Sequence, residues 1–138
     1  MSDFDTISAE DFGRSLRGLG VNLLCRDVAA MAGFLRDVFG LQVHRLSADF
    51  AIVQHDGAMF QLHSDSTFGA HPLLGLVPEA APRGGGAQFY LFGIDPDTAV
   101  ARADPDTVLE APRDKPHGLR EATILSPDGY AFSPARAL

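Results

Sequence analysis

The chain holds one cysteine, Cys25, among its 138 residues. No disulfide can close within it, and a reducing compartment suits it. Cations are scarce: 11 Lys and Arg stand against 18 Asp and Glu, a formal net charge of −7. An acidic surface repels phosphate backbones, which excludes nucleic acid as the expected partner. The same sign disfavours anionic membranes and mildly favours cationic or neutral ligands. The longest stretch without Asp, Glu, Lys or Arg runs from Ser66 to Pro78. It contains Gly, His and Pro and falls short of the roughly 20 apolar residues a bilayer requires, so no membrane span is expected. The start, MSDFDTISAEDF, lacks the basic residues and apolar run of a secretory signal, and the expected location is cytoplasmic. CxxC, HExxH, P-loop and GxGxxG-after-strand patterns are also missing, so the motifs that hold common cofactors and metals are absent and no cofactor is expected.

What is present is the composition of a folded domain. Hydrophobic residues make up 46% and charged residues 21%, which is ordinary globular usage. Residues 1–17 read as an N-terminal extension, with Ser8 and Asp11 marking a weak helix start. Gly18 to Cys25 reads as a strand. Asp27 then caps a helix whose Val28, Met31, Leu35 and Val38 recur at helical spacing, with Gly40 as its stop. Strands follow over Leu41 to Ser47, Phe50 to His55 and Ala58 to His63. Asp56-Gly57 makes the hairpin between the last two, because Asp-Gly tolerates the positive φ of a type I′ turn. Residues 64–86 read as a connection with a helical turn near Pro72 to Leu76. The second half repeats the order: strand Ala87 to Ile94, helix Asp95 to Ala103, then strands Val108 to Ala111, Glu121 to Leu125 and Tyr130 to Ser133. The capping residues Asp27 and Asp95 lie 68 apart, and the turn residues Asp56 and Asp128 lie 72 apart. Two landmarks at a near-constant offset indicate an internal duplication. A single βαβββ unit cannot bury both faces of its sheet, whereas two can curl into a cup with helices outside.

The sequence here resembles the vicinal oxygen chelate superfamily, the glyoxalase, bleomycin-resistance and extradiol dioxygenase group. Val21 to Val28 (VNLLCRDV) and Gly33 to Leu41 (GFLRDVFGL) resemble its first strand and helix. Ala87 to Ala103 resembles the second module's strand and helix, and Ser126 to Phe132 (SPDGYAF) its closing turn and strand. The resemblance implies an α+β fold: two βαβββ modules forming a curved mixed β-sheet cup with outer helices. It implies one glyoxalase/bleomycin resistance-like domain over residues 18–136, made of module one (18–64), a connection (65–85) and module two (86–136). It further implies a homodimer, because small members of the group pair and the sheet leaves edges that need cover.

The superfamily's metal ligands sit seven residues before each helix-capping Asp and four after each hairpin glycine. In this chain those positions hold Gly20, Gln88, Gln61 and Ser133. The resemblance implies His or Gln at the two early-strand positions and Glu at the two late-strand ones, so only Gln88 fits. One position without a side chain and three neutral donors make a poor divalent site, so no metal is expected.

The same register chooses the inward face of each strand. The expected ligand site is lined by Asn22, Met59, Gln61, His63, Gln88, Tyr90 and Phe92. Gln61 and Gln88 read as recognition amides or as polar groups solvated by pocket water. Tyr90 and Phe92 read as an aromatic wall or as core packing. His63 reads as a base, a ligand contact or a rim histidine, and Asn22 as a pocket group or a local hydrogen-bonder. Two functions follow. The first is a small-molecule binding protein of the bleomycin-resistance kind, working without the usual metal. The second is a metal-dependent lyase, isomerase or dioxygenase of the same superfamily with an atypical ligand set.

Overall fold

The computed structural model describes residues 3–79 and 82–138. Its chain divides into two compact units, Met1–Ala32 with Leu41–Gly75, and Gly33–Gly40 with Leu76–Leu138. The elements run α1 (Ala9–Ser15), β1 (Asn22–Cys25), α2 (Val28–Phe39), β2 (Gln42–His44), β3 (Phe50–His55) and β4 (Ala58–Ser64). They continue with β5 (Gln88–Phe92), α3 (Pro96–Arg102), β6 (Val108–Asp114), β7 (Leu119–Leu125) and β8 (Ala131–Ala137). The α+β class and the two βαβββ modules expected from the sequence are both present. Each module forms its own four-stranded mixed sheet, in the orders β1-β4-β3-β2 and β5-β8-β7-β6. The first strand of each sheet pairs parallel to the last, and the other pairings are antiparallel.

Local signals explain the elements. Asp27 accepts the Ala30 N–H at 3.0 Å at the head of α2. The helix buries the expected stripe of Val28, Met31, Leu35 and Val38, and Gly40 ends it at φ +72°, a conformation that suits glycine. Asp95 caps α3 in the same way through the Thr98 N–H. The β3–β4 hairpin has positive φ at both Asp56 and Gly57, as a type I′ turn requires. The second module turns differently. Positive φ is confined to Gly129, and Ser126 N–H donates to the Tyr130 carbonyl, giving a longer loop with Gly129 in the left-handed position.

Several boundaries differ from the sequence reading. β1 begins at Asn22 instead of Gly18, where φ of +71° interrupts an extended chain. β2 stops at His44 because Arg45 takes φ +53°. β6, β7 and β8 are longer than expected, reaching Asp114, starting at Leu119 and ending at Ala137. The loop between β6 and β7 shrinks accordingly.

The first unit's core lies on the face bearing Leu23, Cys25, Ala51, Val53 and Leu62, all buried. The second unit's core centres on Phe132, whose ring meets Phe34, Phe39 and Phe89 at centroid distances of 6.2, 6.0 and 5.3 Å. Pro96 and Ala99 of α3 are buried with it. Alternation leaves the opposite face of each sheet for other chemistry. Among the described residues no helix is long and apolar enough to cross a membrane.

Candidate functional site

In the first unit, alternation and register place Asn22, Met59, Gln61 and His63 on one face of the sheet. Asn22 is the register partner of Gln61, and Ile52 of β3 lies opposite Gln61 on its other side. His63 Nε2 donates to Gln61 Oε1 at 3.1 Å. The His63 ring packs edge-on against Phe50 at 5.1 Å and Phe68 at 5.2 Å. Burial holds its pKa below the ordinary histidine value, because desolvation penalises the imidazolium.

The N-terminal segment covers part of this face. Ser8 caps α1 through the Asp11 N–H at 3.1 Å, and Phe12 is the buried residue of that helix. Phe12 meets Phe4 edge-on at 5.8 Å, and Phe4 meets His44 at 5.6 Å. Burying a phenylalanine stabilises by about 1.5–3 kcal/mol, so Phe12 is the main anchor of the strap. A polar latch adds direction. Asp5 accepts the Arg45 main-chain N–H at 2.8 Å and lies 3.1 Å from His44 Nδ1. His44 Nε2 donates to Gln54 Oε1 at 3.1 Å, and the Arg45 guanidinium donates to the Ile7 carbonyl. The Arg45 N–H and then His44 hold the Asp5 carboxyl below its usual range.

Between strap and sheet lie two adjoining cavities. One, of about 400 Å³, is lined by Ala9, Phe12, Gly13, Leu16, Arg45, Phe50 and Gln61. The other, of about 390 Å³, runs from Leu16 to Val21 and along Gly57 to Gln61. Leu16 and Gln61 belong to both. Of the sequence-chosen residues, Met59 and Gln61 line this groove, while Asn22 and His63 share the sheet face beside it.

In the second unit, Gln88, Tyr90 and Phe92 share one face of β5, in register with Ala131, Ser133 and Ala135. Tyr90 and Phe92 are stacked, with centroids 5.1 Å apart and planes 7° from parallel, and Phe92 is 56% exposed. Gln88 Nε2 donates to Ser133 Oγ at 2.9 Å, and Ser133 and Thr123 share a hydrogen bond at 2.8 Å. The Tyr90 hydroxyl donates to Glu121 at 3.1 Å. Glu121 is buried at 4% exposure. His117 Nε2 lies 3.3 Å from its second oxygen, and Lys115 Nζ lies 4.0 Å from Glu121 and 2.6 Å from Glu110. Desolvation and then the Glu121 contact push the Tyr90 hydroxyl above its ordinary pKa.

Sequence reasoning missed Glu121, Lys115, His117, Arg45 and Phe12 as site residues. One signal for Glu121 was available: it alternates with Ala122 and Ile124, which are core, so it must share the polar face. Nothing in residues 1–17 signalled that α1 would roof the first sheet.

The superfamily metal positions can be tested within each unit. Gly20 contributes no side chain. The Gln61 amide oxygen accepts from His63, and Gln88 and Ser133 are bonded to each other. Neutral donors already engaged in this way do not fit a divalent cation. Among the described residues no group of three or more His, Cys, Asp and Glu is placed to hold one.

No family model and no curated protein sequence matches the chain. Solved structures do. A glyoxalase/bleomycin resistance protein/dioxygenase family enzyme from Burkholderia phytofirmans PsJN is similar at a TM-score of 0.67 and 20% identity, over 86% of this chain and 97% of that one. Lactoylglutathione lyase from Agrobacterium tumefaciens is similar at 0.61 and 19%, over 87% and 92%. TioX from Micromonospora sp. ML1 is similar at 0.60 and 19%, over 88% and 99%. With two βαβββ modules of identical strand order and these structural likenesses, the chain has the fold seen in glyoxalase/bleomycin resistance protein/dioxygenase structures.

Proposed function

We propose that this chain is a small-molecule binding protein that seats a planar, partly polar organic ligand in the first-unit groove without a metal. The observation that carries the reading is the pair of adjoining cavities under α1. Each falls in the size range of about 300–1,000 Å³ typical of ligand sites. Apolar Phe12, Leu16 and Phe50 supply the body of the site, and Gln61 and Arg45 supply orienting polar groups. The test is a ligand panel read by melting temperature on the full chain and on Leu16→Trp, which fills the wall common to both cavities. Ligands that raise the melting temperature of the native chain and not of L16W support the groove. Equal shifts in both place binding elsewhere.

The reading extends to assembly and location. Two copies pair, since each four-stranded sheet has two edge strands and such edges recruit partners; a monomer by light scattering at micromolar concentration counts against it. The buried Cys25 thiol, which is in no disulfide, suits the cytoplasm.

A second reading, an enzyme, is favoured by Glu121. A buried carboxylate contacted by Tyr90, His117 and Lys115 is the kind of cluster that moves protons. Solvent deuterium entering a carbon acid at a rate lost in Glu121→Gln would support it. No exchange across a panel of ketones and phenols would argue against it.

A further inference from the structure

Among the described residues, the groove is lined by two arginines and by no Asp or Glu. Arg45 lines one cavity beside Phe12, Leu16 and Phe50, and Arg17 lines the other beside Met59. This occurs in a chain with 18 acidic and 11 basic residues. Among the described residues both guanidiniums hydrogen-bond main-chain carbonyls. Arg45 Nη1 donates to Ile7, and Arg17 Nη1 donates to Arg14 and Leu16 at 3.1 and 3.0 Å. Neither guanidinium bonds a carboxylate of the described residues, unlike that of Arg14, which faces Glu10 and Asp11 on the outer side of α1, although the Arg45 charge also helps to lower the Asp5 pKa. Asp5 is the acid beside Arg45. It accepts the Arg45 main-chain N–H and faces His44, and it is not part of the lining.

We infer that the groove selects an organic anion, an aromatic carboxylate, with Arg45 as the residue that sets this preference. The inference rests on the groove being the binding site. The net charge of −7 points to the opposite ligand, but surface charges beyond about 8–10 Å are screened at physiological salt. A partly enclosed guanidinium acts on its neighbour directly. Its planar fork matches a carboxylate in two parallel hydrogen bonds. Phe12, Phe50 and Leu16 receive the ring, and the Gln61 amide offers a further donor.

Three probes of one shape separate the outcomes: 2-naphthoate, 2-naphthamide and 2-naphthylmethylammonium, each titrated calorimetrically against the full chain, R45Q, R45K and L16W. The expected order is naphthoate at least tenfold tighter than the amide and the ammonium. R45Q loses that margin with the amide unchanged, R45K keeps the part of it that charge alone supplies, and L16W weakens all three. Restoration by lysine separates charge from any loosening of the strap that Arg45 holds through Ile7. Equal binding of the three probes, a preference for the ammonium, or an unaltered preference in R45Q overturns the anion inference while the groove stands. No binding by any probe, or binding untouched by L16W, overturns the groove and the inference together.

Discussion

Gln88 and Ser133 satisfy each other: the amide donates to the hydroxyl at 2.9 Å, and Ser133 is fully buried. Both stand at positions where the resemblance implies metal ligands. A divalent ion would have to break this bond and gain only two neutral oxygens. Incubation with excess Zn²⁺, Ni²⁺ or Mn²⁺ followed by gel filtration is therefore expected to leave far less than one equivalent per chain by elemental analysis. Retention of one equivalent that disappears in Gln88→Ala would overturn this.

The Tyr90–Glu121 contact makes a spectroscopic prediction. The Tyr90 hydroxyl is held above its ordinary pKa, so the folded chain keeps that proton longer than the unfolded chain does. By linkage its contribution is complete below the unfolded value near 10 and is lost as pH rises through the higher folded value. In a Tyr130→Phe background, leaving Tyr90 as the sole tyrosine, ultraviolet titration is expected to show phenolate appearing above pH ~10. Glu121→Gln should lower the midpoint, because a negative charge beside the phenolate is removed. A midpoint unchanged by E121Q would show that Glu121 does not act on Tyr90.

The modular fold was legible because its signals are local. Asp27 and Asp95 cap helices in the positions the repeat assigns, and Asp56-Gly57 turns as its dipeptide demands. Period two correctly grouped Met59, Gln61 and His63, and separately Gln88, Tyr90 and Phe92. What escaped depends on contacts between distant parts of the chain. Phe12 has the same character as any apolar residue of a short helix; its role follows from docking beside Phe4, which meets His44 40 residues away. Glu121 resembles any solvated acid until β6 and β7 bring Lys115 and His117 to it. Strand ends moved where one residue took positive φ, as at Arg45, a choice made by the Asp5 and Ile7 contacts more than by arginine itself.

The strap over the first sheet should open before the sheet does. Phe12 is its one buried helical residue, and the rest of α1 is exposed. Phe12→Ala is expected to abolish amide-exchange protection across residues 9–15 while β3 and β4 stay protected, since local opening needs few contacts broken. Acid should act in the same direction. Asp5 is held below its ordinary pKa, so its contribution is present above the unfolded value near 3.9 and is lost as pH falls through the lower folded value. Protection of the strap that survives both F12A and pH 2 would refute this picture.

His63 gives a second pH signature on the same face. Its lowered pKa comes from burial, so the neutral ring's contribution is complete above the unfolded value near 6.5 and is lost as pH falls from there through the folded value. Proton NMR of the five histidines should show the His63 resonance, identified by its loss in His63→Gln, titrating below that value. A midpoint at or above 6.5 would contradict the burial argument.

The last prediction concerns the connection that precedes β5. Arg83 N–H donates to the Asp128 carbonyl at 2.9 Å, tying the connection to the β7–β8 turn. Gly84 is buried there, and a Cβ added to it would lie 2.8 Å from Tyr130 Cδ1 and 2.9 Å from Tyr130 Cα. A ring edge can swing, but a Cα cannot move without its strand, and Tyr130 directly precedes β8. Gly84→Ala is therefore expected to destabilise by about 1–3 kcal/mol, the usual effect of overpacking. For a chain of this size that is a drop of several degrees in melting temperature. Gly85 supplies the control one residue away: an added Cβ there meets nothing within 4 Å. Gly85→Ala should leave the melting temperature unchanged or raise it slightly, through lower entropy of the unfolded chain. Equal effects of the two substitutions would mean that the contact with Tyr130 does not hold the connection in place.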